Sequence, residues 1–194
     1  SEAPENTIPA FLRAIELGTD AVELDVHLSK DGEVVVFHDR KLERMTNGKG
    51  WVKSHTLQEL RSLSFLQQRN SERIPTLDEV LEALPRDFPL CVEMKPRIAG
   101  MKELPPRLAS VIQRHNRWRT ILVHSFNPVS LYYLRRCSEH AIVGLIWARK
   151  HPYPLRARWL SPLARPHWSA PADHTFDPRV LAHFHSQGKP VMAW

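Results

Sequence analysis

Residues 21–28, AVELDVHL, decide the fold class of this chain. Apolar and polar side chains alternate along the stretch, as they do in a β-strand with one face against an apolar layer. The even-numbered residues are all apolar and share one face, whereas the other face carries Glu23, Asp25 and His27. The alternation therefore predicts a strand that presents ionisable groups on the side opposite its apolar contacts.

Further strand-like stretches follow at regular intervals, with helical stretches between most of them. The strand-like stretches are 33–39, 89–95, 120–126, 141–147 and 189–194, with another candidate near 168–170. Two helical stretches begin with the capping-box patterns Thr56-x-x-Glu59 and Thr76-x-x-Glu79. At the start of the chain, Asn6 or Thr7 is expected to cap a helix that begins at Ile8.

This alternation predicts right-handed crossovers and a mainly parallel α/β sheet in one domain over residues 1–194. A TIM (β/α)8 barrel usually needs about 250 residues. We therefore expect a partial barrel that lacks the first strand and the final helix. An open doubly wound sheet is the alternative, disfavoured because no Gly-rich phosphate loop follows any strand.

Composition narrows the function only slightly. The formal charge of +6 favours anionic partners, but the basic residues are scattered and no nucleic-acid-binding motif is present, so we expect no nucleic-acid partner. No apolar run approaches the roughly 20 residues of a membrane span and no signal peptide is visible, so a cytoplasmic location is the working prediction. Cys91 and Cys137 lie too far apart to suggest a zinc site or a disulfide scaffold.

Residues 148–171 interrupt the alternation of strand-like and helical stretches and are rich in proline, arginine and tryptophan. We expect an irregular basic-aromatic surface insertion here. A more specific hypothesis is that 149–168 contacts a membrane surface or guides an anionic substrate.

Carboxylates at the strand ends are the first candidates for chemistry. Glu23 and Asp25 lie about 6.5–7 Å apart along one strand face, a separation that suits a shared cation. In the stretch 89–95, Glu93 and Lys95 also share a face. Three carboxylates from two strands form an all-oxygen site that suits Mg²⁺ or Ca²⁺, with Lys95 beside it to hold an anionic oxygen. The alternative is an ion pair of Lys95 with Glu93 or Asp25, which leaves one acid unexplained.

Histidines at strand ends are the candidates for proton transfer. His38 ends the stretch 33–39, and an unperturbed pKa near 6.5 suits a general acid/base. Asp39 either orients His38 or begins the turn. His27 is a weaker candidate, and His124 is a candidate pocket residue at the end of another strand.

Several motifs in order resemble the glycerophosphodiester phosphodiesterases, a family of TIM-barrel enzymes. They are PENTIPAF (4–11), ELD (23–25), SKDGEVVVFHDRKLERMTNG (29–48), VEMK (92–95) and HSF (124–126). The resemblance runs from Ser1 to Trp194. It implies cation-assisted hydrolysis of a glycerophosphodiester to glycerol 3-phosphate and an alcohol.

The resemblance also implies roles for individual residues. Glu23, Asp25 and Glu93 would be metal ligands for Mg²⁺ or Ca²⁺, His38 a catalytic acid/base, and Lys95 a phosphate contact. Trp194 matches an aromatic residue of the family's final-strand motif and would flank the glycerol moiety. The first nucleophile is either water or a neighbouring glycerol hydroxyl.

Family members also carry a His-Arg-Gly motif ahead of PENT, which provides a second acid/base and is absent from these 194 residues. We therefore expect these residues alone to be nearly inactive. The alternatives are a lysophospholipase D-like activity on lipids and a catalytically silent ligand-binding module.

Overall fold

The computed structural model describes residues 2–66, 72–95, 102–147 and 161–171, together with 182, 185, 186, 188 and 190–192. The described part is an α/β structure built on one six-stranded sheet. The strands are β1 Val22–Leu28, β2 Val34–Val36, β3 Leu90–Met94, β4 Ile121–Ser125, β5 Ile142–Trp147 and β6 Trp168–Pro171. The helices are α1 Ile8–Glu16, α2 Leu57–Arg61, α3 Leu77–Ala83, α4 Leu104–Arg114, α5 Pro128–Cys137 and α6 Ser161–Ala164, with a short 3₁₀ helix at Val52–Ser54.

The strands lie in the order β2-β1-β3-β4-β5-β6. All neighbours from β1 through β6 are parallel, and Val191 forms a further parallel bridge to Ser169. Within the described residues the sheet does not close on itself. The parallel strands with helices between them confirm the predicted α/β architecture and agree with a partial barrel.

Strand β2 differs from the prediction. The sequence places residues 33–39 in the series of parallel strands, but β2 pairs antiparallel with β1 in a hairpin. Only residues 29–33 separate the two strands, which is too short for a parallel crossover of a dozen or more residues. Gly32 takes φ 88° in this turn, a left-handed conformation that glycine adopts without steric cost.

Two apolar clusters bury the two faces of the hairpin strand. The larger cluster lies between the sheet and the helices and includes Leu24, Val26, Val34 and Val36. The second cluster contains Val35 and apolar side chains from the segment that follows it, namely Phe37, Leu42, Met45, Val52, Leu60, Phe65 and Ile74. Burial of both faces explains the unbroken apolar run in β2, and the second cluster anchors the backbone on either side of His38.

Local capping signals place the helices. Thr7 is the N-cap of α1, since its side chain accepts a hydrogen bond from the Ala10 amide. Both predicted capping boxes are present, at Thr56 for α2 and at Thr76 for α3. In the part of the chain that the structure describes, no helix is long and apolar enough to cross a bilayer.

The predicted irregular insertion at 148–171 is wrong at its C-terminal end. Residues 148–160 lie outside the described part of the chain, but Ser161–Ala164 is helical and Trp168–Pro171 is strand β6. The stretch 168–171 is buried and pairs with β5, so it belongs to the sheet rather than to a surface insertion. The separate expectation of a strand near 168–170 is confirmed.

Gly144 on β5 leaves room for the indole of Trp168. A Cβ atom at position 144 would lie 2.2–2.5 Å from atoms of that ring. We expect Gly144→Ala to lower the free energy of unfolding by about 1–3 kcal/mol, because the ring is enclosed and must shift. Urea unfolding measures the effect. In a Gly144→Ala background, Trp168→Leu should cost less than it does alone, and equal costs would contradict the predicted clash.

Candidate active site

One face of the sheet carries a row of ionisable side chains across three adjacent strands. Asp25 on β1 is the register partner of Glu93 on β3, and Glu93 is the partner of His124 on β4. All three residues are buried. None of them belongs to the larger apolar cluster between the sheet and the helices, because they lie on the opposite face of the sheet. The face predicted for Glu23 and Asp25 is therefore the face on which Glu93 and His124 also lie.

Lys95, just after β3, pairs with two of the carboxylates. Its Nζ lies 3.0 Å from Asp25 Oδ1 and 2.9 Å from Glu93 Oε1. Burial alone would lower the pKa of Lys95, but the charges of Glu93 and Asp25 outweigh it and raise that pKa, so the ammonium stays charged. Burial raises the pKa of Glu93, and the nearby charge of Asp25 adds to this effect while Lys95 opposes it.

Glu23 turns toward His124 rather than toward Lys95. Its Oε1 lies 3.3 Å from His124 Nε2, and donor atoms of Glu23, Glu93 and His124 all lie within 4.8 Å of one another. Cys91 Sγ lies 3.7 Å from the Nε2 of the same ring. Burial, with the charges of Glu23 and Glu93, raises the pKa of the Cys91 thiol to about 12, so the thiol stays protonated at neutral pH.

These residues fit a divalent cation. Apart from the ion pairs with Lys95, neither Asp25 Oδ1 nor Glu93 Oε1 has a hydrogen-bond partner among the described residues, and both atoms are buried. Buried carboxylate oxygens without donors are costly unless a cation or a basic group compensates them. Glu23, Asp25 and Glu93 provide three negative charges, whereas Lys95 provides one positive charge. Oxygen donors with an excess of negative charge are the ligands that hard dications bind.

Asn6 belongs to the site, although the sequence indicated only a capping role. Its side-chain amide donates to Asp25 Oδ2 at 2.9 Å, and its Oδ1 accepts from the Asp25 backbone amide at 3.0 Å. Asn6 takes a left-handed φ of 58°, a conformation that Asn tolerates better than most residues. The two bonds tie the loop before α1 to β1 and hold the Asp25 carboxylate in one orientation.

His38 is held by a chain of charged groups. Its Nδ1 lies 2.7 Å from Asp39 Oδ1, and Arg44 pairs with both Asp39 and Glu5. Burial alone would raise the pKa of Asp39, but Arg44 and His38 outweigh it and lower that pKa. Asp39 therefore stays ionised and orients the ring of His38, whose side chain is 50% exposed.

His27 has a supporting position. Burial lowers its pKa to about 4, so the ring is neutral at physiological pH. A neutral ring can donate from Nε2 to the backbone carbonyl of His38, and these atoms lie 3.2 Å apart. This bond helps to hold the backbone that presents the His38 ring.

A family model described as the glycerophosphoryl diester phosphodiesterase family matches residues 1–194. The chain belongs to this family. The resemblance seen in the sequence motifs is therefore confirmed.

Relatives and solved structures agree with this membership. A glycerophosphodiester phosphodiesterase of Caldanaerobacter subterraneus subsp. tengcongensis is 42% identical over 149 residues, which is 74% of this chain and 61% of that protein. Human lysophospholipase D GDPD1 is 35% identical over 123 residues, which is 58% of this chain and 38% of that protein. The chain thus spans 61% of the length of the Caldanaerobacter relative.

The structural comparison confirms the TIM-barrel fold class. A phosphodiesterase of Oleispira antarctica, solved in complex with the product sn-glycerol-3-phosphate, superposes with a TM-score of 0.88 at 28% identity. The match covers 99% of this chain and 79% of that one. A Thermotoga maritima glycerophosphodiester phosphodiesterase superposes with a TM-score of 0.74 at 26% identity, over 100% of this chain and 80% of that one.

Within this family member, the structure brings Asp25, Glu93 and Lys95 into direct contact, with Glu23 and His124 beside Glu93. His38 lies at the end of the Glu5–Arg44–Asp39 chain. Trp194 lies outside the described residues, so its predicted glycerol contact stays a prediction. Neither Asn6 nor Arg44 was predicted as a site residue. For Asn6, the sequence signals were its candidate capping position and its membership of the PENT motif, and neither points to Asp25.

Substitutions of Asn6 test whether its hydrogen bonds to Asp25 support cation binding. We expect Asn6→Gly to weaken cation binding by the intact protein about 10-fold or more, because the amide contacts are lost while the left-handed backbone is retained. Asn6→Ala should lose the same contacts and a further 1–2 kcal/mol of folding stability, roughly the cost of a left-handed residue that carries a Cβ. Calorimetric cation titration and urea unfolding measure the two effects separately. Wild-type cation affinity in Asn6→Gly would contradict the role.

Proposed function

We propose that the protein hydrolyses glycerophosphodiesters to glycerol 3-phosphate and an alcohol, with a divalent cation held by Glu23, Asp25 and Glu93. The observation that carries this proposal is the grouping of these carboxylates on one face of the sheet, where Asp25 and Glu93 pair with Lys95 and Glu23 lies beside Glu93. Mg²⁺ and Ca²⁺ are the ions that an oxygen ligand set favours. The proposal concerns the whole protein, of which these residues form the matched part.

Charge is the first obstacle to attack on a phosphodiester, since its anionic oxygens repel a nucleophile. The cation supplies Lewis-acid polarisation of a phosphoryl oxygen when it is bound. Lys95 carries a positive charge beside Asp25 and Glu93, from which its ammonium could contact a phosphate oxygen of the substrate. Asn6 keeps Asp25 in place, so the carboxylate need not reorient when substrate arrives.

Proton transfer falls to His38. With Nδ1 committed to Asp39, Nε2 is the nitrogen that can exchange a proton with substrate. The ionised Asp39 stabilises the imidazolium that forms when the ring accepts a proton, and Arg44 keeps Asp39 fixed. The half-exposed ring can therefore reach a bound substrate while Asp39 and Arg44 maintain its orientation.

The Oleispira antarctica structure with sn-glycerol-3-phosphate supports a small glycerophosphodiester as substrate. A second candidate, lysophospholipid hydrolysis, is supported by the name of the human relative, lysophospholipase D GDPD1. The predicted membrane contact through 149–168 lies mostly outside the described residues, so it stays a prediction, as does the cytoplasmic location.

One assay separates these possibilities. The intact protein is incubated with glycerophosphocholine and, separately, with lysophosphatidylcholine, and release of glycerol 3-phosphate or lysophosphatidic acid is measured with and without chelator. We expect chelator-sensitive release of glycerol 3-phosphate that returns when the cation is restored. Preference for lysophosphatidylcholine would favour the lipid activity. Absence of turnover on both substrates would instead favour a silent ligand-binding module.

A further inference from the structure

His124 extends the row of site residues by one strand. It is the register partner of Glu93, it is 5% exposed, and its Nε2 lies 3.3 Å from Glu23 Oε1. Imidazole nitrogen is a common metal ligand, so this buried ring between two carboxylates has a second possible use beyond an ion pair.

The packing around His124 fixes its ring. Trp168 lies beside it, with ring centroids 5.4 Å apart and an interplanar angle of 35°. The indole can reach this position because Gly144, the register partner of both His124 and Trp168, carries no side chain. Cys91 Sγ contacts the ring from the neighbouring strand β3. The imidazole is thus held in place before any ligand binds.

The spacing of the donors suits one shared ion. Donor atoms of Glu23, Glu93 and His124 lie within 4.8 Å of one another. Protein ligands bind divalent ions at about 2.0–2.6 Å, so donors around one ion are separated by at most about twice that distance. A bound of 4.8 Å lies within this limit for the longer ligand distances, and shifts of a few tenths of an ångström in the side chains bring the donors to the shorter ones without movement of the strands.

We propose that His124 supplies a nitrogen ligand to the cation, alongside Glu23 and Glu93, and that the site consequently prefers Zn²⁺ to Ca²⁺ and Mg²⁺. Imidazole suits Zn²⁺, whereas Ca²⁺ and Mg²⁺ prefer oxygen ligands. This inference rests on the proposed function for the presence of a cation. It alters the ligand set and the ion preference.

Spectroscopy on the wild-type protein tests the ligand directly. Mn²⁺ is added to the intact, metal-free protein, and pulsed electron paramagnetic resonance is used to detect ¹⁴N coupled to the ion. We expect a coupling of the kind that a bound imidazole nitrogen produces. Bound Mn²⁺ with no nitrogen coupling overturns the proposal, and this measurement requires no variant to fold.

Ion preference is tested with His124→Gln, which keeps a polar side chain of similar size without the imidazole. We expect its Zn²⁺ affinity to fall by about 10–100-fold while its Ca²⁺ affinity changes about threefold or less. His115→Gln is the matched control, because His115 pairs with Asp78 in the helical layer. It should bind both ions as the wild type does. Equal changes for Zn²⁺ and Ca²⁺ in His124→Gln would overturn the proposed preference.

Glu93→Gln separates failure of this inference from failure of the proposed function. If Glu93→Gln loses cation binding while wild-type Mn²⁺ shows no nitrogen coupling, the carboxylate site stands and the His124 ligand is wrong. If Glu93→Gln binds both ions with wild-type affinity, the cation site itself is wrong and both proposals fail.

Discussion

Glu93→Gln in the intact protein should lower kcat/KM for glycerophosphocholine by about 10³-fold, since a metal ion typically contributes several kcal/mol to charge stabilisation in such reactions. The substitution preserves the shape of the side chain and removes one charge. Cation binding, measured by titration calorimetry, should be lost together with activity.

The size of this effect follows from the central position of Glu93. It contacts Lys95 at 2.9 Å, lies in register with Asp25 and His124, and provides a buried oxygen that, apart from this ion pair, has no hydrogen-bond partner among the described residues. Removal of its charge should therefore weaken both the contact with Lys95 and the proposed cation site. Glu23 is exposed and pairs with His124 rather than with Lys95, so its removal should cost less.

Glu16→Gln is the matched control for this substitution. Glu16 is an exposed residue at the end of α1 and pairs only weakly with Arg13 on the surface. The Glu16→Gln variant should therefore have wild-type activity and wild-type cation affinity. Full activity in Glu93→Gln would contradict the metal assignment, provided that the two variants unfold at similar temperatures.

His38→Gln should lower kcat by about 10²–10⁴-fold, the usual contribution of a positioned acid/base. KM and cation affinity should change little, because His38 belongs to the Asp39–Arg44 chain rather than to the carboxylate row. Asp39→Asn should lower kcat less than His38→Gln, since it removes the charge that orients the ring but leaves the ring itself.

Steady-state kinetics with saturating cation measures these effects. His140→Gln provides the control, since His140 is exposed in the turn between α5 and β5. A His38→Gln variant with wild-type kcat would contradict the acid/base role. A fall in cation affinity comparable to the fall in kcat would instead indicate that His38 supports the carboxylate row.

Local patterns predicted much of the fold. The period-2 alternation in 21–28 correctly placed Glu23 and Asp25 on one face, because successive side chains in a strand project to opposite sides. The capping boxes at Thr56 and Thr76 formed as predicted, since each needs only residues three positions apart. The direction of β2 was missed because its two-sided burial resembles that of a parallel strand. The short connection from β1 was the overlooked signal.

Tertiary contacts determined the parts of the candidate site that the sequence left open. Asn6 and Asp25 meet because α1 returns the chain to β1, and a capping motif carries no information about that distant partner. Likewise, the division of the carboxylates between Lys95 and His124 depends on which strands are neighbours and in what register.

The sequence by itself determined the family, the strand faces and the identity of the ionisable residues, because these depend on motifs and on backbone geometry within single elements. Only the tertiary structure placed Asp25, Glu93 and His124 at one level of the sheet, joined Asn6 to Asp25, and linked His38 through Asp39 and Arg44 to Glu5. Strand register depends on how the intervening helices pack, and no single strand encodes that packing.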